Sequence, residues 1–192
     1  MTALNLGNPG AYYLSGTWQW YTPRLDIRDE GWKLHVSGDQ HNAQRILDLV
    51  LNELREGGIA HKVLPDTEAV EKQTGEQRGK FFAIYPDSIE QAFVIISEID
   101  RFLGAEIDRN DSPSILYERW VGRTVVYTRY GAYANRVWNP IKEVYDHDTI
   151  GQLKPDWIED PWIYYPDMGM LKHFKPWPKH AVNARRKRGN RV

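Results

Sequence analysis

Apolar and polar positions alternate from Trp32 to Ser37, with Trp32, Leu34 and Val36 on one side and Lys33, His35 and Ser37 on the other. A period of two marks a half-buried strand, and its polar face carries a lysine and a histidine together. From about Asn42 to Glu56 the period lengthens: Ile46, Leu47, Val50, Leu51 and Leu54 form one helical stripe, which Gly57 and Gly58 end. Ile59 to Leu64 reads as a second strand. Asp66 to Gly79 is polar and predicts one helical turn followed by a loop. Lys80 to Tyr85 reads as a third strand closed by Pro86. Ser88 to Leu103 reads as a second helix. Ser88 and Gln91 stand at capping-box spacing, Gly104 suits the stop, and Ile89, Phe93, Ile96 and Phe102 are expected on the buried side. Arg123 to Tyr130 predicts a further strand with Arg123, Tyr127 and Arg129 on one face. Beyond Tyr133 the pattern gives way to Trp-, Pro- and Tyr-rich segments such as Pro161 to Pro166, expected to be loops and short strands. The sum is an α+β fold, a mostly antiparallel sheet with two packed helices.

Composition narrows the chemistry. The chain has 192 residues and no cysteine, which removes disulfides, thiolate nucleophiles and Cys-ligated metals. No apolar run approaches the roughly 20 residues of a membrane span. The first ten residues lack the basic and apolar regions of a signal peptide, so a cytoplasmic protein is expected. The net charge of −1 is uneven. Residues 172–192 hold eight Lys and Arg and no acid, leaving 17 basic against 26 acidic residues in 1–171, a net of −9. One domain over 1–171, with its core at about 18–166, and a basic, disordered tail over 172–192 are expected.

The candidate chemistry lies on the strands. Lys33 with His35, Lys62 beside His61, Lys80, and Arg123 with Arg129 bring cations onto four strands of an acidic body. Clustered cations are costly without an anion among them, and phosphate suits Lys and Arg through charge-assisted hydrogen bonds. The histidines show no metal-ligand spacing, and no G-x-S-x-G elbow, P-loop or G-x-G-x-x-G is present. Gly79-Lys80 looks like the end of a P-loop but opens a strand. Base-reading motifs for nucleic acid are absent.

Four segments occur in order: Gly31-Trp32-Lys33-Leu34-His35-Val36-Ser37, Ile59-Ala60-His61-Lys62-Val63-Leu64, Gly79-Lys80-Phe81 leading to Ile84-Tyr85-Pro86, and Tyr127-Thr128-Arg129-Tyr130-Gly131-Ala132-Tyr133. Together they resemble the lyase domain of class III lanthipeptide synthetases, which is related to the phosphothreonine lyase effectors of bacterial pathogens. Weaker similarity extends through Lys154-Pro155-Asp156 and Pro161-Trp162, so the resemblance covers roughly residues 18 to 166. It implies a phosphothreonine-lyase-like fold and metal-free, cofactor-free β-elimination of phosphate from phosphoserine or phosphothreonine, leaving dehydroalanine or dehydrobutyrine. By family position Lys62 is the base and His35 the acid, with Lys33, Lys80 and Arg129 clamping the phosphate. Arg78 and Arg119 are second-rank phosphate ligands, because Gln77-Arg78-Gly79-Lys80 is more compact than the family's segment.

No kinase domain follows, so a separate Ser/Thr kinase is expected to phosphorylate the peptide or protein substrate. Small size and closer similarity to the synthetase domains favour modified-peptide biosynthesis as the setting, a host regulatory protein being the other substrate the sequence leaves open; no membrane partner is implied. Two other readings remain open: a phosphopeptide-binding module without turnover, and a nucleic-acid-associated protein using the basic tail, whose binding would fall with salt.

Overall fold

A computed structural model describes residues 4, 13–22, 30–133, 136–139, 144–147 and 161–163. Seven strands form one antiparallel sheet in the order β1-β2-β4-β5-β3-β7-β6. They are β1 (Tyr13–Ser15), β2 (Trp18–Tyr21), β3 (Glu30–Ser37), β4 (Ala60–Val63), β5 (Lys80–Tyr85), β6 (Arg119–Trp120) and β7 (Val126–Ala132). A separate hairpin joins β8 (Arg136–Asn139) to β9 (Val144–His147). Three helices intervene: α1 (Ala43–Glu56), the short α2 (Thr67–Glu71) and α3 (Ile89–Leu103). The fold is α+β, as the alternation predicts.

One face of the sheet makes the core. Leu34 and Val36 of β3, Val63 of β4, Phe82 and Ile84 of β5 and Val126 of β7 pack in one cluster with the stripes of α1 and α3. The stripe of α1 is as expected: Ile46, Leu47, Val50, Leu51 and Leu54 are all buried. Gly57 caps the helix, and Gly58 follows it with φ +62°. On α3 the buried set is Ala92, Ile95, Ile96, Ile99, Asp100 and Leu103. Ile89 and Phe93 pack at its margin, whereas Phe102, expected in the core, is half-buried beneath the Arg101 guanidinium. The cap of α3 is half a capping box. Ser88 Oγ accepts from Gln91 N at 3.1 Å, but the Gln91 side chain accepts from Asp87 N rather than reaching Ser88 N.

Three elements differ from the sequence pattern. The first strand expected from the sequence is Trp32 to Ser37, yet β2 lies ahead of it and pairs with β4. Arg123 lies outside β7, in a bend that the buried carboxylate of Asp100 holds. Asp100 accepts from Arg123 N (2.8 Å), Thr124 N (2.9 Å) and Thr124 Oγ1 (2.7 Å). Gly122 has φ +74°, and a Cβ there would lie 2.6 Å from Asp100 Oδ2, so only glycine lets the bend close on the carboxylate. Because of this bend the strand starts at Val126, and Arg123 does not share a strand face with Tyr127 and Arg129. The third element is Pro161–Ile163, a single 3₁₀ turn whose Trp162 is buried edge-on against Trp32 and Phe93.

The basic segment 172–192, the boundary at 171, residues 164–166 and Lys154-Pro155-Asp156 lie outside the described residues. Among the described residues no helix is long and apolar enough to cross a membrane.

Candidate phosphate site

Strand register builds the site. On the face away from the helices, Trp20 of β2 stands opposite Lys62 of β4, and Lys62 opposite Ala83 of β5. Ala83 stands opposite His35 of β3, and His35 opposite Tyr127 of β7. Directly opposed residues share a face, so these side chains form one row across five strands. Lys62 and His35 are two strands apart, about 10 Å between backbones at the usual spacing of ~4.8 Å. The residue between them is Ala83, whose small side chain is buried in a cluster with Tyr85 and Tyr133. Arg129 stands opposite Lys33 one step along β3 and β7.

A cavity of about 170 Å³ is lined by Trp18, Lys33, His35, Lys62, Gln77, Lys80, Tyr85 and Arg129. Four cations and a histidine thus converge, and no acid is among the described lining residues. Lys33, His35 and Lys80 are all nearly inaccessible to solvent. Lys80 enters beside Ser37 at a bulge in the β3–β5 pairing. Gly79 permits this approach: its φ is +85°, and a Cβ there would crowd Pro113 O and Ser37 Oγ at 3.1 Å. The Lys62 ammonium lies over the rings of Trp18 (4.5 Å) and Trp20 (5.0 Å), and Trp20 stacks flat on Tyr85 at 5.2 Å. An aromatic wall therefore holds this lysine, and a cation over a ring face is attracted to it.

Behind the cations lies a group that the sequence analysis misses, Glu118. Its side chain is fully buried. Oε2 meets His35 Nδ1 at 2.7 Å, while Oε1 lies 3.0 Å from Lys80 Nζ and 3.6 Å from Arg129 Nε. Burial alone would raise its pKa, but His35 and Lys80 outweigh this and hold it at about 2. For His35 burial dominates and lowers the pKa to about 4; Lys80 and Lys33 push the same way, and Glu118 opposes them. His35 is therefore neutral near pH 7. A carboxylate only accepts, so the ring proton sits on Nδ1 and Nε2 is an acceptor. Glu118 follows Tyr117, which has φ +62° and is among the most exposed large apolar residues described. That left-handed turn, uncommon for an aromatic residue, swings the chain so that Tyr117 points out and Glu118 in.

The expected site residues divide cleanly. Lys33, His35, Lys62, Lys80 and Arg129 all line the one cavity. Arg78 and Arg119 do not. Arg78 is exposed and lines a different hollow with Gly38, Asp39 and His41. Arg119 is exposed and stands opposite Thr128, whose side chain lies on the other face of β7 from Arg129. Gln77, next to Arg78, takes the lining position instead. His61, though adjacent to Lys62, points into the core: Nδ1 donates to Ile59 O at 2.8 Å, and the ring stacks on Tyr21 and leans on Phe82. Among the described residues, no three His, Asp or Glu side chains are grouped so as to hold a metal.

A buried pocket of Lys and Arg side chains, with a histidine held by a carboxylate, defines an anion-binding site built on a sheet face. Residues 12–169 match the family model described as RamC, N-terminal domain, and the chain belongs to that family. It is also 29% identical over 160 residues to a protein of Streptomyces coelicolor (strain ATCC BAA-471 / A3(2) / M145) named "Probable SapB synthase". That match covers 80% of this chain and 16% of the relative, so the chain spans a small part of the larger protein's length.

Proposed function

We propose that this domain is a phosphoserine/phosphothreonine lyase acting on a phosphorylated peptide in lanthipeptide-type biosynthesis. The observation that carries the reading is the convergence of Lys33, Lys62, Lys80, Arg129 and His35 on one cavity. A phosphorylated side chain brings about −1.5 to −2 charges at pH 7 into that field. Lys33, Lys80 and Arg129 hold the phosphoryl oxygens and disperse the charge that grows as the ester bond breaks.

In the reaction the Lys62 amine takes the Cα proton. The electrons of that C–H bond form the Cα=Cβ double bond, and the Cβ–O bond breaks. Phosphate leaves with the bridging oxygen, giving dehydroalanine or dehydrobutyrine. Lys62 must be neutral to act; the cations across the cavity favour that form, while the Trp18 and Trp20 rings oppose it. His35 is neutral in the empty site, and phosphate bound at Nε2 raises its proton affinity. Glu118 at Nδ1 orients the ring and supports the imidazolium that delivers a proton to the leaving oxygen, as a carboxylate does behind a catalytic histidine elsewhere. A Ser/Thr kinase supplies the phosphorylated substrate.

Mass spectrometry of phosphoserine and phosphothreonine peptides incubated with the protein and EDTA tests this. The expected product has lost phosphoric acid, the phosphoryl group plus the elements of one water, and adds thiols. Restoration of the hydroxyl would mean a phosphatase. Unchanged peptides that still bind would mean a phosphopeptide-binding module.

A further inference from the structure

The 170 Å³ cavity has room for about six waters' worth of volume at ~30 Å³ each, enough for a phosphoryl group and a few carbons. A peptide must leave it. A larger hollow of about 420 Å³ adjoins, lined by Thr17, Asp66, Glu68, Ala69, Lys72, Gln73, Thr74 and Gln77. Gln77 lines both spaces, and Thr17 of the second is bonded to Trp18 of the first. The two hollows thus share a wall at Gln77, in the segment leading into β5.

Resting on the lyase reading, we propose that this groove binds the polypeptide chain flanking the phosphorylated residue. Its lining suits a backbone: the amide of Gln77 and the hydroxyls of Thr17 and Thr74 can each donate and accept, while Gln73, whose NH2 turns to Lys80 O and Gln77 O, offers an acceptor. Its volume, about 14 waters' worth, fits two or three residues. Two carboxylates against one lysine make basic neighbours better than acidic ones. The effect is modest, because Glu68 is paired with Lys72 and Asp66 caps α2 through Ala69 N at 2.7 Å. Selection therefore rests mainly on chain length and shape, with charge a secondary filter.

Thr74 is exposed and its side chain makes no capping bond, so Thr74→Trp fills the groove without touching the cavity. Two substrates separate the possibilities: phosphothreonine capped as N-acetyl N-methylamide, and a nine-residue phosphothreonine peptide. Wild type is expected to show kcat/KM at least tenfold higher on the longer peptide. Thr74→Trp should lose that advantage and process the capped residue at the wild-type rate. Equal activity of variant and wild type on both substrates, or an equal loss on both, would overturn the groove assignment. If wild type turns over neither, the lyase reading fails, and calorimetry decides the groove. Thr74→Trp should then weaken the nine-residue peptide about tenfold and leave inorganic phosphate unchanged; an unchanged peptide affinity would overturn it. A second variant, Glu68→Lys, should reverse a two- to fivefold preference for Lys-flanked over Glu-flanked peptides, and an unchanged preference would remove the charge filter.

Discussion

His35 and His61 are both buried, and burial brings both pKa values down to about 4. They sit on β4 and β3, the two strands that flank β5. Their surroundings differ entirely. His61 gives its Nδ1 proton to a backbone carbonyl and is closed in by Tyr21 and Phe82 on the helix-covered face. His35 gives its Nδ1 proton to Glu118 and lines the cationic cavity on the other face. A depressed pKa alone therefore does not mark a working group. What distinguishes His35 is a carboxylate on one nitrogen, a place in the lining of the cavity, and cations around it that an anion would bridge.

The contrast can be broken in steps. Lys62→Ala should reduce elimination by at least about 10³-fold, near the upper range for loss of a positioned base, while phosphopeptide binding persists in calorimetry. Glu118→Gln keeps the shape but removes the charge behind His35. Turnover should fall about 10²- to 10⁴-fold, as for a carboxylate orienting a catalytic histidine. KM should fall as well, because the negative charge behind the cations, which offsets their pull on the phosphate, is gone. Steady-state kinetics that show a raised KM with unchanged kcat would remove Glu118 from this role. Arg129→Ala should weaken phosphopeptide binding about 10- to 100-fold through loss of charge-assisted hydrogen bonds.

On the core side the expected effect is on stability. Unfolded His61 binds a proton below about 6.5, whereas folded His61 does so only below about 4. The folded state therefore loses stability as pH falls through that window. Relative to His61→Phe, wild type should lose about 2 kcal/mol between pH 7 and pH 4.5 in urea unfolding, with elimination at pH 7 nearly unaffected. The smallest effects belong to Arg78→Ala and Arg119→Ala. Both side chains lie away from the cavity, and kcat/KM should stay within about twofold of wild type.

Much of this was legible in the residues. Alternation along β3 gives the shared face of Lys33 and His35 directly, and the helical stripes of α1 and α3 give the covered face. In β4 it is less direct, because His61 and Lys62 are both polar and only pairing with Ala83 turns Lys62 to the cavity. Glu118 carries no local signal. It precedes a two-residue strand, follows an exposed Leu116-Tyr117 pair, and gains its meaning from β3 and β5, both distant in sequence. A search for the acid that four clustered cations require could have found it. The early start expected for β7 fails for a related reason: Val125 continues the apolar pattern, but Gly122 and the distant Asp100 impose a turn.

The most direct measurement is an NMR titration of the two histidine rings, with and without saturating inorganic phosphate. The account predicts that phosphate raises the His35 pKa by a unit or more from about 4 and leaves His61 where it is. An unmoved His35, or equal movement of both rings, would contradict the assignment of the cationic face as a phosphate site.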